Sequence, residues 1–205
     1  MKRKHRQAAC LLAAVAALGS LRALAQTDVA ASLYGAFSGR TTGNGVVQSP
    51  SNSAGAIVEL RHISNPIVGY EATYSFNRAN QAYLASEACS LFCSSVSAQT
   101  VSADAHEVTA DWIASVRIAN LRPFALAGAG LLFNQPAASQ SSARSATKPV
   151  FVYGAGLDWG LLPHIGLRLQ YRGNVYKAPN LSRLFTSTNA FTRTAEPMIG
   201  VYFRL

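Results

Sequence analysis

The sequence predicts an all-β fold, an eight-stranded antiparallel up-and-down transmembrane β-barrel. Three observations carry this. Apolar and polar residues alternate with a period of two in eight segments. The connections between these segments are short and long in strict alternation. Sorting the segments by parity places most of the charge on one face and most of the bulky apolar side chains on the other.

The first 25 residues are set apart from this pattern. A basic "MKRKHR" precedes the apolar "AACLLAAVAALGSL", and "ALA" before Gln26 supplies small residues at the cleavage positions. This is the layout of a secretory signal peptide. The apolar run is short for a membrane span, and Arg22 follows it directly. Residues 1–25 are therefore expected to be a signal peptide and 26–205 one barrel domain. Five of the eighteen Lys and Arg residues leave with the signal, so thirteen remain against nine acids. The high pI is thus weak evidence for nucleic acid, and no basic run survives to bind it.

The segments are 28–38, 54–63, 67–76, 105–117, 122–133, 149–160, 164–176 and 194–205. Most reach the roughly 9–11 residues that a tilted strand needs to cross a bilayer. "SNP", "IANL" and "LLP" are tight connections. The other four are long and rich in Ser, Asn, Thr, Gly and Gln. A meander with turns at one end and solvated loops at the other gives this pattern. The second long connection, 77–104, shows no alternation and carries Cys89 and Cys93. In an oxidising compartment a small disulfide loop is expected, with free thiols or a metal site as the alternatives. No histidine lies near the pair.

Parity assigns one face to lipid. Val58, Leu60, Tyr70, Tyr74, Trp112, Phe124, Leu126, Leu132, Phe151, Trp159, Leu167, Leu169, Ile199 and Val201 fall on it. Trp159, Phe76, Tyr176 and Phe203 are candidates for interfacial girdles. The opposite face carries Glu59, Arg61, Glu71, Glu107, Asp111, Arg117, Asp158, Arg168, Arg172, Glu196 and Arg204. These six acids and five bases are expected to form a lumenal charge network, because an unpaired buried ion costs several kcal/mol. Ala125, Ala127 and Ala129, with glycines such as Gly154 and Gly166, would leave room for the arginines. A soluble lipocalin-type barrel would reverse the two faces.

The stretches "LRPFALAGAGLLF", "VYGAGLDWGLLPHIGLRLQYRG" and "EPMIGVYFRL" resemble the small outer-membrane β-barrels related to the transmembrane domain of outer-membrane protein A (OmpA/OmpX-like). The last of these is similar to the C-terminal strand signal read by the outer-membrane assembly machinery, although it ends on Leu205 rather than an aromatic residue. The resemblance implies a cell outer membrane location, with membrane lipid and that machinery as partners. It implies a structural, adhesion or surface-interaction role with a charge-plugged lumen; a narrow pore or small-ligand transport barrel is the alternative. The glycine-rich stretches lack the phosphate-loop pattern, the histidines are scattered, and no motif assembles a nucleophile with a base. No enzyme activity, cofactor, metal or nucleic acid is therefore expected.

Overall fold

The computed structural model describes residues 26–65, 67–85, 98–137 and 142–205. The expected signal peptide, Cys89 and Cys93 lie outside these residues. Among the described residues ten strands are present: β1 (Gln26–Ser38), β2 (Thr41–Gly43), β3 (Val46–Pro50), β4 (Ser53–Ile63), β5 (Val68–Ala85), β6 (Ala98–Ser115), β7 (Leu121–Pro136), β8 (Ala146–Gly160), β9 (Ile165–Lys177) and β10 (Phe191–Arg204). All but β2 and β3 close into one antiparallel barrel, in which β1 joins β4 on one side and β10 on the other, and β5 joins β6.

The stagger of this ring follows from its register. Stepping from Phe37 through its successive partners Ala195, Gly173, Tyr153, Ala127, Trp112, Tyr70 and His62 returns to β1 at Thr27, ten residues away. A stagger of ten over eight strands leans the strands by about 40° and gives a backbone radius of about 8 Å. Side chains fill a tube that narrow.

The long connections hold more structure than their polar composition suggested. Asn44 and Gly45, both at positive φ, turn β2 into β3. Asn-Gly is the favoured pair for such a hairpin turn. The β3 strand then pairs with the outer half of β5, Val46 opposite Ala85. Strands β5 and β6 are 18 residues each and stay paired from Val68–Ala114 to Leu84–Ala98. Residues 77–85 and 98–104, expected as loop, are therefore ladder. An outer deletion that includes 82–85 and 98–100 removes paired strand.

The wall presents an apolar belt outward. Leu33, Leu60, Trp112, Leu169, Ile199 and Val201 are all exposed on it. At the turn end His62 meets Tyr70 and His164 meets Phe203, beside Trp112 and Trp159; nearer the loop end lie Phe76, Phe151, Tyr153 and Phe191. Gly173 belongs to this outer face. A Cβ there would lie 2.5 Å from the Tyr153 ring, so the tyrosine lies flat over the gap. Tyr176, expected in a girdle, is instead buried inside, where its hydroxyl bonds Thr194 Oγ1 at 2.9 Å. It shares parity with Arg172 and Asn174.

Strand β7 has the opposite parity to the one expected. Phe124, Leu126 and Leu132 are buried inside, while Ala125, Ala127 and Ala129 face outward. Arg122 and Asn134 share the inward parity of Phe124 and are buried with it. The large apolar side chains fill one sector of the lumen, packing with Ile63, Ile113, Val150 and Val152. Alanines suffice where lipid supplies the contact. Ala127→Arg should accordingly cost about 2–4 kcal/mol, as arginine does near the bilayer midplane. Urea unfolding in lipid vesicles measures this; a change near zero would mean that position 127 faces the lumen.

Candidate functional site

The lumen holds two layers of buried charge. In the layer nearer the turn end, Arg168 on β9 reaches carboxylates from four other strands. Its guanidinium lies 3.0 Å from Asp28 (β1), 3.1 Å from Glu59 (β4), 3.5 Å from Glu71 (β5) and 2.8 Å from Asp158 (β8). Arg61 on β4 adds contacts to Glu71 at 2.7 Å and to Asp158 at 3.2 Å. In an eight-stranded ring β9 lies opposite β5, and β4 opposite β8, so two of these contacts span the full width of the barrel. Arg122 joins from β7, 3.7 Å from Asp28 and hydrogen-bonded to Gln26 Oε1. The Phe124 ring sits under the Arg61 guanidinium at 4.0 Å, a cation–π contact in a dry interior. That contact gives the inward turn of β7 a further physical reason.

The second layer is centred on Arg172, one step further along the inward face of β9 after Gln170. It lies 3.3 Å from Glu107 and 3.5 Å from Asp111, both on β6, and donates to Thr109 Oγ1 at 2.7 Å. Asn174 Nδ2 donates to Glu107 Oε2 and to Glu196 Oε1, each at 3.1 Å. Gly128 makes room for Asp111: a Cβ there would stand 2.0 Å from Asp111 Oδ1. Above this layer lies a cavity of about 40 Å³, bordered by Glu107, Asn134, Asn174, Tyr176 and Glu196. A space of that size holds about three water molecules.

A lid closes the loop end. The segment after β9 folds over the mouth and buries Pro179, Leu181 and Ser182. Pro179 O accepts from Gln48 Nε2 at 2.9 Å and from the Tyr83 hydroxyl at 3.1 Å, while Leu181 N–H donates to the same hydroxyl at 2.8 Å. Leu181 packs with Val46, Tyr83, Val101, Ala103 and Ala143 in a small apolar core, and Phe185 stacks on Tyr83. Burial pushes the Tyr83 hydroxyl up to about 12, so it remains a donor at neutral pH.

Of the eleven residues expected in the lumen, Glu59, Arg61, Glu71, Glu107, Asp111, Asp158, Arg168, Arg172 and Glu196 are buried inside the barrel. Two are not. Arg117 is exposed, because β6 ends at Ser115 and the chain has entered a turn. Arg204 is partly exposed at the end of β10. It stands opposite Asp28 in register, yet its guanidinium turns to Pro163 O at 3.4 Å. Asp28 and Arg122 take their places. The lumen therefore contains seven carboxylates and four arginines rather than a near-equal set. Asp28 was legible as an even-numbered residue of β1. Arg122 was hidden by the inverted parity of β7, and the lid by the polar composition of 177–193.

The family model for the outer membrane protein beta-barrel domain matches residues 9–195. The crystal structure of Neisserial surface protein A is 15% identical and superposes with a TM-score of 0.57, covering 89% of this chain and 99% of that one. The outer membrane protein OprG from Pseudomonas aeruginosa is 9% identical, with a TM-score of 0.59 and coverages of 89% and 97%. At these identities the likeness is one of fold. No curated protein matches the chain by sequence.

Arg168→Ala should leave four buried carboxylates short of their shared cation and lower stability by about 3–5 kcal/mol. Arg117→Ala, at an exposed turn, should stay within about 0.5 kcal/mol of wild type. Urea midpoints of the two refolded variants test the assignment, and equal losses would refute it.

Proposed function

We propose a non-conducting, surface-contact role for this chain, which belongs to the outer membrane protein beta-barrel family and is an outer-membrane protein. The observation that carries the reading is the double closure of the lumen. The Arg168 layer ties opposite walls together, and the lid seats Leu181 over the mouth. The cavity between them measures about 40 Å³, room for about three waters. A continuous wet path would have to pass Arg61, Phe124 and Arg168, which are packed against one another.

The outer ends of β5 and β6 support the contact role. An 18-residue strand tilted by about 40° rises about 45 Å along the axis, against a belt about 25 Å tall. The ribbon, extended by the β2–β3 hairpin, projects well beyond the bilayer and offers backbone and side chains to another surface. In this reading residues 1–25 direct export as a signal peptide. The outward row Val201, Phe203 and Leu205 on the final strand is the feature the assembly machinery engages. A small-ligand barrel is the second reading, favoured by the polar lining of the inner cavity, but about 40 Å³ is far below the size of a typical ligand pocket.

The refolded mature protein should show no steady conductance in a planar bilayer, and deleting residues 179–186 should leave it closed, because the Arg168 layer remains. A large, stable conductance from the wild-type chain would favour the pore reading instead.

A further inference from the structure

The charge on the outside of the barrel is opposite to that on the inside. Seven of the nine acids in residues 26–205 are lumenal, whereas eight of the thirteen Lys and Arg residues lie outside the lumen; Lys148, half-buried opposite Leu132, shares the inward parity of Val150 near the mouth. Among the described residues Asp104 is the one Asp or Glu outside the lumen, and it is held by Arg78 at 2.5 and 2.9 Å. That guanidinium keeps the Asp104 carboxyl below the usual range, so the pair is formed at neutral pH and adds nothing to the net charge. Among the described residues no ion pair is formed by the remaining outer bases.

Three of them meet at one sector of the outer rim. Arg193 on β10 faces outward opposite Val175, and Lys177 is two residues further on β9, a diagonal neighbour at about 7–8 Å. Arg40 follows the end of β1, where Gly39 N–H donates to Arg193 O at 2.8 Å. No ion pair to Arg40, Lys177 or Arg193 is formed among the described residues, and all three are exposed. Phe191 stands level with Lys177 as its partner in register, with Lys177 Nζ 5.8 Å from the centre of its ring, and Phe37, opposite Ala195, lies below Arg193; both rings are exposed. Bases interleaved with aromatic rings on a lipid-facing wall mark the depth at which hydrocarbon gives way to headgroups.

We propose that Arg40, Lys177 and Arg193 bind the headgroup phosphates of a glycolipid in the outer leaflet. Guanidinium groups match phosphate oxygens in a two-point geometry, and the lysine adds a mobile point charge. Their position decides in favour of lipid over a soluble polyanion. The three lie on the lateral wall beside Phe37 and Phe191, at headgroup depth, whereas a surface polysaccharide would meet the projecting β5–β6 ribbon first. Near an anionic membrane surface each base contributes about a fivefold gain, so the three together give about a hundredfold.

The test uses the refolded mature chain in phosphatidylcholine nanodiscs, with diphosphorylated lipid A and its dephosphorylated form as probes. Native mass spectrometry should show retention of the phosphorylated lipid at least tenfold above the dephosphorylated one. The R40Q/K177Q/R193Q variant should lose this preference while keeping its heat-modifiable mobility on a gel. The R117Q/R204Q variant, altered at the turn end, should retain it. Equal retention of the two lipids, a triple variant that binds like wild type, or capture of soluble heparin fragments in place of lipid A would each overturn the proposal. The conductance measurement is independent of these outcomes.

Discussion

The structure depends on the width of its own interior. Eight strands staggered by ten residues leave a tube narrow enough for side chains to fill most of it and for one arginine to reach across. Arg168 uses that geometry. Its planar fork offers five donors in fixed directions, and carboxylates on β1, β4, β5 and β8 converge on them. Lysine would offer a single point charge at that centre. The backbone ladder fixes neighbours, while these lumenal contacts tie strands that are four places apart in the ring. They specify which residues face inward on five strands at once, because slipping one strand by a residue would expel its charge into lipid.

The same constraint explains why the polarity of a soluble protein is turned inside out. Carboxylates are costly against hydrocarbon and are therefore drawn to the lumen, where arginines meet them. Arginines are also kept inside at four places, but the rest gather beyond the belt, where long side chains bring their heads to the headgroups. The result is an acidic lumen, an apolar wall and basic rims. The +9 formal charge of the chain hides this separation, since it sums compartments that never meet.

Strand number, the alternation of turns and loops, and nine of the lumenal charges could be read from the sequence wherever a strand contrasts its two faces sharply. In "IGLRLQYRG" every inward position is polar or glycine, and every outward one from Ile165 to Tyr171 is apolar, so parity is unambiguous. In "RPFALAGAGLLF" both faces are apolar, and the rule that large side chains seek lipid gave the wrong answer. The lumen needs a Phe124 beneath Arg61, while the bilayer is content with Ala125 and Ala127. The position of Arg122, two residues before Phe124, was the signal that would have set the phase. Arg117 and Arg204 were misread because parity persists in a sequence after the strand that gives it meaning has ended.

The loop end was the least legible part for a related reason. Alternation reports a strand with one wet and one dry face, and the lid has neither. Pro179, Leu181 and Phe185 lie in a polar sequence, and their burial arises from the β2–β3 hairpin and the extended β5–β6 ribbon standing above the wall to receive them. The ribbon and the lid are mutually dependent. Tyr83 and Val101 would be exposed above the barrel without Leu181, and the Leu181 and Pro179 backbone groups would lack partners without Tyr83 and Gln48. Among the described residues the hairpin, the ribbon and the lid are packed into one unit rather than standing as separate loops. That unit stands on the strands that the arginine layers below tie together.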